Sequence, residues 1–387
     1  MSEKTLGAGW RGVKFGEIAE NVNERIDDPR TAGVDRYVGL EHLDPDDLRI
    51  RRWGSPADVE AMKLRFRAGD IIFGRRRAYQ RKLALADFEG ICSAHAMVLR
   101  ERRAAVAPGF LPFFMQSDIF MSRAQSISVG SLSPTISWKA LAVEEFVLPP
   151  IEQQRHFVTA FVAGQRAIDA ASICCDAAKN ALRALLKVEY GCILETAPLS
   201  ALCLPIVRGI DSPGPDTPSG VPYVRVSEMT GEDGIIVANL LRTTQELSDA
   251  HPESRLCEGD MVVALRGVVG LAVSVPAAAD GANLSRGTAR VSVLQEHNRE
   301  FVFWALRSPR VQQTVLQNAT GWKGEDLREI TLAALRNLRV PFAPRAQQDC
   351  VAKRVVAMAQ AVNSTSRRLA FTRAVMAALV ARAVQGA

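Results

Sequence analysis

The stretch of the 387-residue sequence best equipped for chemistry is Gly74–Lys82, GRRRAYQRK, in which Arg75, Arg76, Arg77, Arg81 and Lys82 surround Tyr79 and Gln80. A guanidinium grips a phosphate or a guanine edge through paired N–H donors, and a glutamine amide matches adenine. A tyrosine stacks or donates to phosphate. The segment ends a wider basic run: from Arg49 to Lys82 there are eleven basic residues, opposed locally only by Asp58, Glu60 and Asp70. A solvated basic loop would carry the same charge. The interleaved Tyr and Gln add groups that read bases, and together they suit DNA.

Later segments offer a sparser version of this vocabulary. Ala264–Gly270 (ALRGVVG) sets Arg266 in a glycine-bearing turn, and Gly281–Gly287 (GANLSRG) carries Asn283, Ser285 and Arg286. Thr320–Gly324 (TGWKG) brings Trp322 and Lys323 to a position that Gly130–Ser133 occupies earlier in the chain. Small residues let a backbone approach phosphates closely enough for its N–H groups to donate. These thirteen side chains, Arg75 to Arg77, Tyr79 to Lys82, Arg266, Asn283, Ser285, Arg286, Trp322 and Lys323, are the candidate DNA contacts.

No catalytic constellation accompanies them. Gly69–Arg75 (GDIIFGR) echoes a phosphate-binding loop, yet Arg75 and Arg76 stand where Lys and Ser or Thr are required. There is no G-x-S-x-G elbow, H-E-x-x-H pair or G-x-G-x-x-G turn. The five histidines are scattered, and the seven cysteines form no C-x-x-C pair. No catalytic or metal-binding residue is assigned, and a binding protein is expected.

The elements that must hold these groups are organised by an internal repeat. Ile136–Gln154 (ISWKALAVEEFVLPPIEQQ) and Ile330–Gln348 (ITLAALRNLRVPFAPRAQQ) align at a constant offset of 194 residues, ending on a shared Pro-x-x-Gln-Gln. Tyr37-Val38 answers Tyr223-Val224, and Ala68–Ile71 answers Glu258–Met261. After each Gln-Gln comes a proline-free stretch rich in Ala, Leu and Arg. Apolar residues recur there every seven positions at Phe161, Ile168, Cys175 and Leu182, beside a row at Phe157, Gly164, Ala171, Ala178 and Leu185. The same offset gives Val355, Val362, Leu369 and Met376, then Val351, Met358, Thr365, Thr372 and Leu379. A helix of about 40 residues is roughly 60 Å long. Two of them with matched narrow stripes are expected to pair as an antiparallel coiled coil.

The blocks before the helices read as mixed α+β domains. Asp70–Phe73, Tyr223–Val226, Asp260–Leu265 and Ala289–Val293 are strand-like, and Gly109–Phe120 and Glu300–Gln317 are helical. The composition, 48% apolar and 23% charged with a net charge of +6, excludes a disordered chain, a polycation and a disulfide scaffold. No long apolar run or secretory leader is present, so a cytoplasmic, membrane-free protein is expected.

Taken together, these stretches resemble the DNA specificity subunit of type I restriction–modification systems. The resemblance rests on Gly9-Trp10 with Phe15–Ala19, Gly69–Phe73, Phe88–Ser93 (FEGICS) and Leu148–Gln154 (LPPIEQQ), then on Gly220–Ser227 (GVPYVRVS), Gly259–Gly270 and Gly281–Arg286. It implies two pseudo-repeated target-recognition domains, residues 1–150 and 193–344, each reading half of a split DNA sequence. Spacer helices at 151–192 and 345–387 would set the unread gap. It also implies partners: two adenine methyltransferase subunits that use S-adenosylmethionine, and motor-nuclease subunits that use ATP and Mg, with no cofactor in this chain. A coiled-coil adaptor that never touches DNA is the competing expectation.

Overall fold

The computed structural model describes residues 8–231, 234–321 and 328–385. The chain divides into two compact units. The first runs to Ala171 and resumes at Leu369; the second is Ser172–Arg368.

In the first unit a four-stranded antiparallel sheet has the spatial order Ala19–Val22, Met97–Glu101, Ile71–Phe73, Leu83–Leu85. Ile71–Phe73 and the Met97–Leu99 part of its neighbour are apolar because both faces are covered there. Ile71, Phe73, Leu83, Met97 and Leu99 enter one core, while Ile72, Ala84 and Val98 enter another. That alternation is the two-residue period of a strand. The second core is closed by a sheet ordered Arg25–Ile26, Lys63–Phe66, Gly90–Ser93, Tyr37–Val38, whose last pairing is parallel. The larger core gathers Phe15, Phe110, Phe114, Phe120 and Phe146 beneath helices Phe110–Gln116, Asp118–Ser126 and Trp138–Ala142.

The second unit repeats this plan. Its antiparallel sheet is ordered Val207–Arg208, Thr288–Val291, Met261–Ala264, Ala272–Ser274. Tyr223-Val224 pairs in parallel with Asn283-Leu284, as Tyr37-Val38 does with Ile91-Cys92. Helices Arg299–Arg307, Pro309–Asn318 and Leu332–Arg336 follow in the same order as in the first unit. One expectation changes in both units. Gly109–Phe120 and Glu300–Gln317 are not continuous helices but pairs broken at Ser117 and Ser308, which are extended. The Ser117 hydroxyl accepts from the Phe120 amide at 3.3 Å, so it caps a new helix instead of continuing the old one.

The long helices span Ile151–Gly191 and Arg345–Gln385. Every seam position read from the sequence is buried or half-buried. In the first unit Phe161 and Ile168 share a core with Met376 and Val380. In the second, Leu186 and Tyr190 share one with Val351 and Val355. Early first helix thus meets late second helix, and late meets early, which is antiparallel packing. Gly164 matters here: a Cβ at this position would lie 2.8 Å from Met376 Sδ.

The second glutamine of each Pro-x-x-Gln-Gln has a structural task. Gln154, fully buried, accepts from the Ala107 amide at 2.9 Å and donates to Pro149 O at 2.8 Å. Gln348 repeats this with the Asn298 amide at 2.7 Å and Ala343 O at 2.8 Å. Replacing Gln154 by Leu strands both backbone groups. The expected cost is about 2–4 kcal/mol, read as a lowered urea midpoint, whereas Gln153→Leu on the exposed side leaves the midpoint nearly unchanged.

Candidate nucleic-acid interface

In the first unit the basic run is thinned by carboxylates from outside it. Arg49 and Arg51 pair with Asp169 at 2.8 and 3.0 Å, and Arg51 also pairs with Asp47 at 2.8 Å. Arg52 pairs with Asp44. Arg65 lies by Glu24 and Glu89, and Arg67 by Glu24. Asp70 is itself taken up by Arg100 through bonds of 2.7 and 2.9 Å. The Arg49–Arg67 part of the run is therefore mostly neutralised.

Arg75, Arg76 and Arg77 are different: none has a carboxylate partner among the described residues. They follow strand Ile71–Phe73 and lie against a short hairpin, with isolated bridges Arg76 to Thr135 and Val129 to Thr135. Arg75 donates to Ala94 O at 3.0 Å. Arg76 donates to Ser133 Oγ at 3.1 Å and to His95 Nε2 at 3.4 Å, and the Nε of Arg77 reaches the same Ser133 oxygen at 3.2 Å. Neutral acceptors orient these guanidiniums without cancelling their charge. Tyr79 is 53% exposed beside them, and Gln80 is half-buried.

Backbone strain marks the same turn. Arg77 and Arg81 adopt φ of 57° and 53°, bracketing the single turn Ala78–Gln80. Left-handed backbone at a non-glycine residue costs on the order of 1 kcal/mol and is found at functional turns. Arg77→Gly relieves that strain while freeing the unfolded chain by a similar amount. Its thermal midpoint is expected to stay near wild type while DNA affinity falls.

Arg81 and Lys82 are committed to the fold. Arg81 bonds Asp46 at 2.6 Å, Asp118 at 3.0 Å and Gln116 O at 2.6 Å, and Lys82 donates to Leu40 O at 2.7 Å. Both shape the turn that displays their neighbours.

The second unit places Arg266 on an equivalent mount, bridged to Glu329, which is bridged in turn to Thr320. Here the arginine is neutralised: its guanidinium pairs with Glu329 at 3.0 Å. Arg286 is exposed and has no partner among the described residues, with half-buried Ser285 beside it. Asn283 is fully buried, donating to Ser254 Oγ at 2.8 Å. A side chain without exposed surface cannot reach a base edge, so Asn283 is a positioning residue. Trp322 and Lys323 lie outside the described residues. Glu329→Gln frees Arg266. It is expected to tighten DNA binding about threefold and to steepen the salt dependence by about one phosphate contact, measured by fluorescence anisotropy across a salt series.

Other chemistry is sparse. Among the described residues no three His, Cys, Asp or Glu side chains come together as metal ligands. No helix among them is long and apolar enough to cross a membrane. Burial holds the Cys92 thiol protonated and pushes Cys203 up to about 12.

Comparison with known proteins places this architecture. No family model matches. The type I restriction enzyme EcoDI specificity subunit of Escherichia coli is 25% identical over 158 residues, which cover 38% of this chain and 33% of the relative. The matched stretch therefore spans about a third of the curated relative. Two solved chains match almost end to end. The type I restriction–modification S subunit from M. genitalium superimposes with a TM-score of 0.60, at 11% identity, over 99% of this chain and 98% of that one. A chain from a solved type I R-M assembly gives a TM-score of 0.56 at 19% identity, covering 99% of each.

The chain has the specificity-subunit fold of type I restriction–modification systems.

Within this specificity-subunit fold, sequence reasoning missed two groups beside the arginines. Ser133 is the shared acceptor that orients Arg76 and Arg77. Its Gly-Ser-rich loop offers only a positional match to Thr320–Gly324. His95 reads along the chain as one of five scattered histidines, yet it faces Arg76. Burial, then Arg76, Arg75 and Lys63, hold its pKa below the ordinary histidine value. The unfolded chain therefore takes up this proton first. The contribution of His95 to stability is present above the ordinary histidine pKa, about 6.5, and is lost as the pH falls below it. His95→Gln is expected to flatten the acid-side fall of the urea midpoint; an unchanged pH profile would contradict this.

Proposed function

We propose that this chain is a sequence-specific double-stranded-DNA-binding specificity subunit of a type I restriction–modification complex. Each unit reads one half of a bipartite target, and the paired long helices set the unread interval. The observation that carries this reading is the repeated mount. In both units the segment leaving a strand of the central sheet bridges an arginine, Arg76 or Arg266, to a residue that is itself bridged back to an earlier one, Thr135 to Val129 and Glu329 to Thr320. In the first unit three adjacent guanidiniums remain without carboxylate partners among the described residues. Such groups neutralise phosphates and grip guanine edges.

The chain itself is read as non-catalytic. Two adenine methyltransferase subunits carrying S-adenosylmethionine would supply methylation, and motor-nuclease subunits with ATP and Mg would supply cleavage. Titrating the full chain with a pool of random duplexes at increasing salt tests the DNA reading. The expected log–log slope is about −0.9 per phosphate neutralised. A flat response would favour the adaptor that never touches DNA.

A further inference from the structure

The hairpin beside the arginines carries two large aliphatic side chains in water. Leu132 is 91% exposed and Val129 79% exposed, with Gly130 and Ser131 open between them. A lone exposed leucine is ordinary on a protein surface. This one sits on a firmly held support. Val129 and Thr135 exchange backbone bonds of 3.1 and 2.9 Å, and the strand exit is laced to the hairpin by Ile136 N to Arg75 O at 3.0 Å and Arg77 N to Pro134 O at 2.7 Å. The tip turns through Gly130 at a φ of 116°, where a side chain would be strained.

The second unit repeats the lacing. Thr320 and Glu329 exchange two bonds of 2.9 Å, Ile330 N donates to Leu265 O at 2.9 Å, and Gly267 N donates to Arg328 O at 3.2 Å. A hairpin base laced at the same point of the sheet in both units is a presentation device, and in the first unit its tip is described as well. In the first unit the surface it presents is apolar, and the charge flanking it is the Arg75–Arg77 trio. The occupant that satisfies both at once is a nucleic-acid duplex: phosphates for the guanidiniums, and an apolar base-edge group for the leucine.

Building on the DNA-reading function proposed above, we infer that the tip Val129–Ser133 enters the groove and that Leu132, flanked by Val129, contacts the C5 methyl groups of thymine. Ser133 couples the two kinds of contact, because the same hydroxyl that ends the tip also orients Arg76 and Arg77. Methyl contact is the form of base readout available to an aliphatic side chain in the major groove. The tip is therefore a specificity-determining element in which no charge takes part.

The test uses the full chain and duplexes that it selects from a random-sequence pool, each synthesised with thymine and again with uracil in its place. Wild type is expected to bind the thymine form about tenfold more tightly, and Leu132→Ser to lose that preference with an unchanged salt slope. Arg76→Ala/Arg77→Ala, in contrast, flattens the slope and keeps the preference. Equal wild-type affinity for the two forms, or a preference that survives in Leu132→Ser, overturns the inference while leaving the DNA reading intact. If the chain binds no duplex at any salt, the DNA reading fails and the inference with it. Leu132 is almost wholly solvated, so an unchanged thermal midpoint serves as the folding control.

Discussion

The Arg76→Ala/Arg77→Ala variant is expected to lose ~1–3 kcal/mol of DNA-binding free energy for each base contact removed, and its salt slope is expected to flatten by about 0.9 for each phosphate no longer neutralised. What sets the two arginines apart is the absence of a carboxylate beside them. Most of the other cations between Arg49 and Arg67 face a carboxylate, whereas Arg76 and Arg77 share a serine hydroxyl. Removing Arg81 instead should mainly lower stability, since its guanidinium holds Asp46, Asp118 and Gln116 O together. Anisotropy titrations at several salt concentrations, beside urea melts, separate the two cases. An Arg76/Arg77 variant with wild-type affinity and slope would remove these two arginines from the interface.

The largest expected effect on stability is at Phe161. Its ring is 1% exposed, lies 4.7 Å from Phe113 between centroids, and stacks on Phe157 at 6.0 Å. It joins the first long helix to the same core that carries the central sheet of the first unit. Phe161→Ala removes a full ring from packed surroundings and should cost about 3–5 kcal/mol. Phe371, on the second long helix, is 71% exposed, and Phe371→Ala should change stability by less than about 0.5 kcal/mol. Urea unfolding of both variants checks the contrast, and similar midpoints would contradict the packing described.

Much of this was legible in the residues because the signals were periodic or repeated. The seven-residue rows after each Pro-x-x-Gln-Gln fall on protected helix faces, and the matched Tyr-Val pairs both become parallel strands. What escaped depends on distant partners. The charge of the Arg49–Lys82 run could not be weighed along the chain, because Glu24, Asp118 and Asp169, which help to neutralise it, lie far from it in sequence. Asn283 reads as an open-loop residue in a small-residue stretch, but it begins a two-residue strand whose partner is Tyr223. The hairpin at Val129–Thr135 escaped for a different reason. Its sequence is Gly, Ser and Pro around one leucine, and the bonds that fix it at the strand exit, Ile136 N to Arg75 O and Arg77 N to Pro134 O, join backbone atoms.

In the proposed function the two repeated units read two halves of one DNA target. Co-expression of the chain with the proposed adenine methyltransferase subunits, followed by genome-wide mapping of methylated adenines, tests this directly. The expected result is a bipartite motif with a fixed unread interval, whose first half is relaxed in Arg76→Ala/Arg77→Ala while the second half is unchanged. Methylation with no split motif, or a motif indifferent to those arginines, would contradict it.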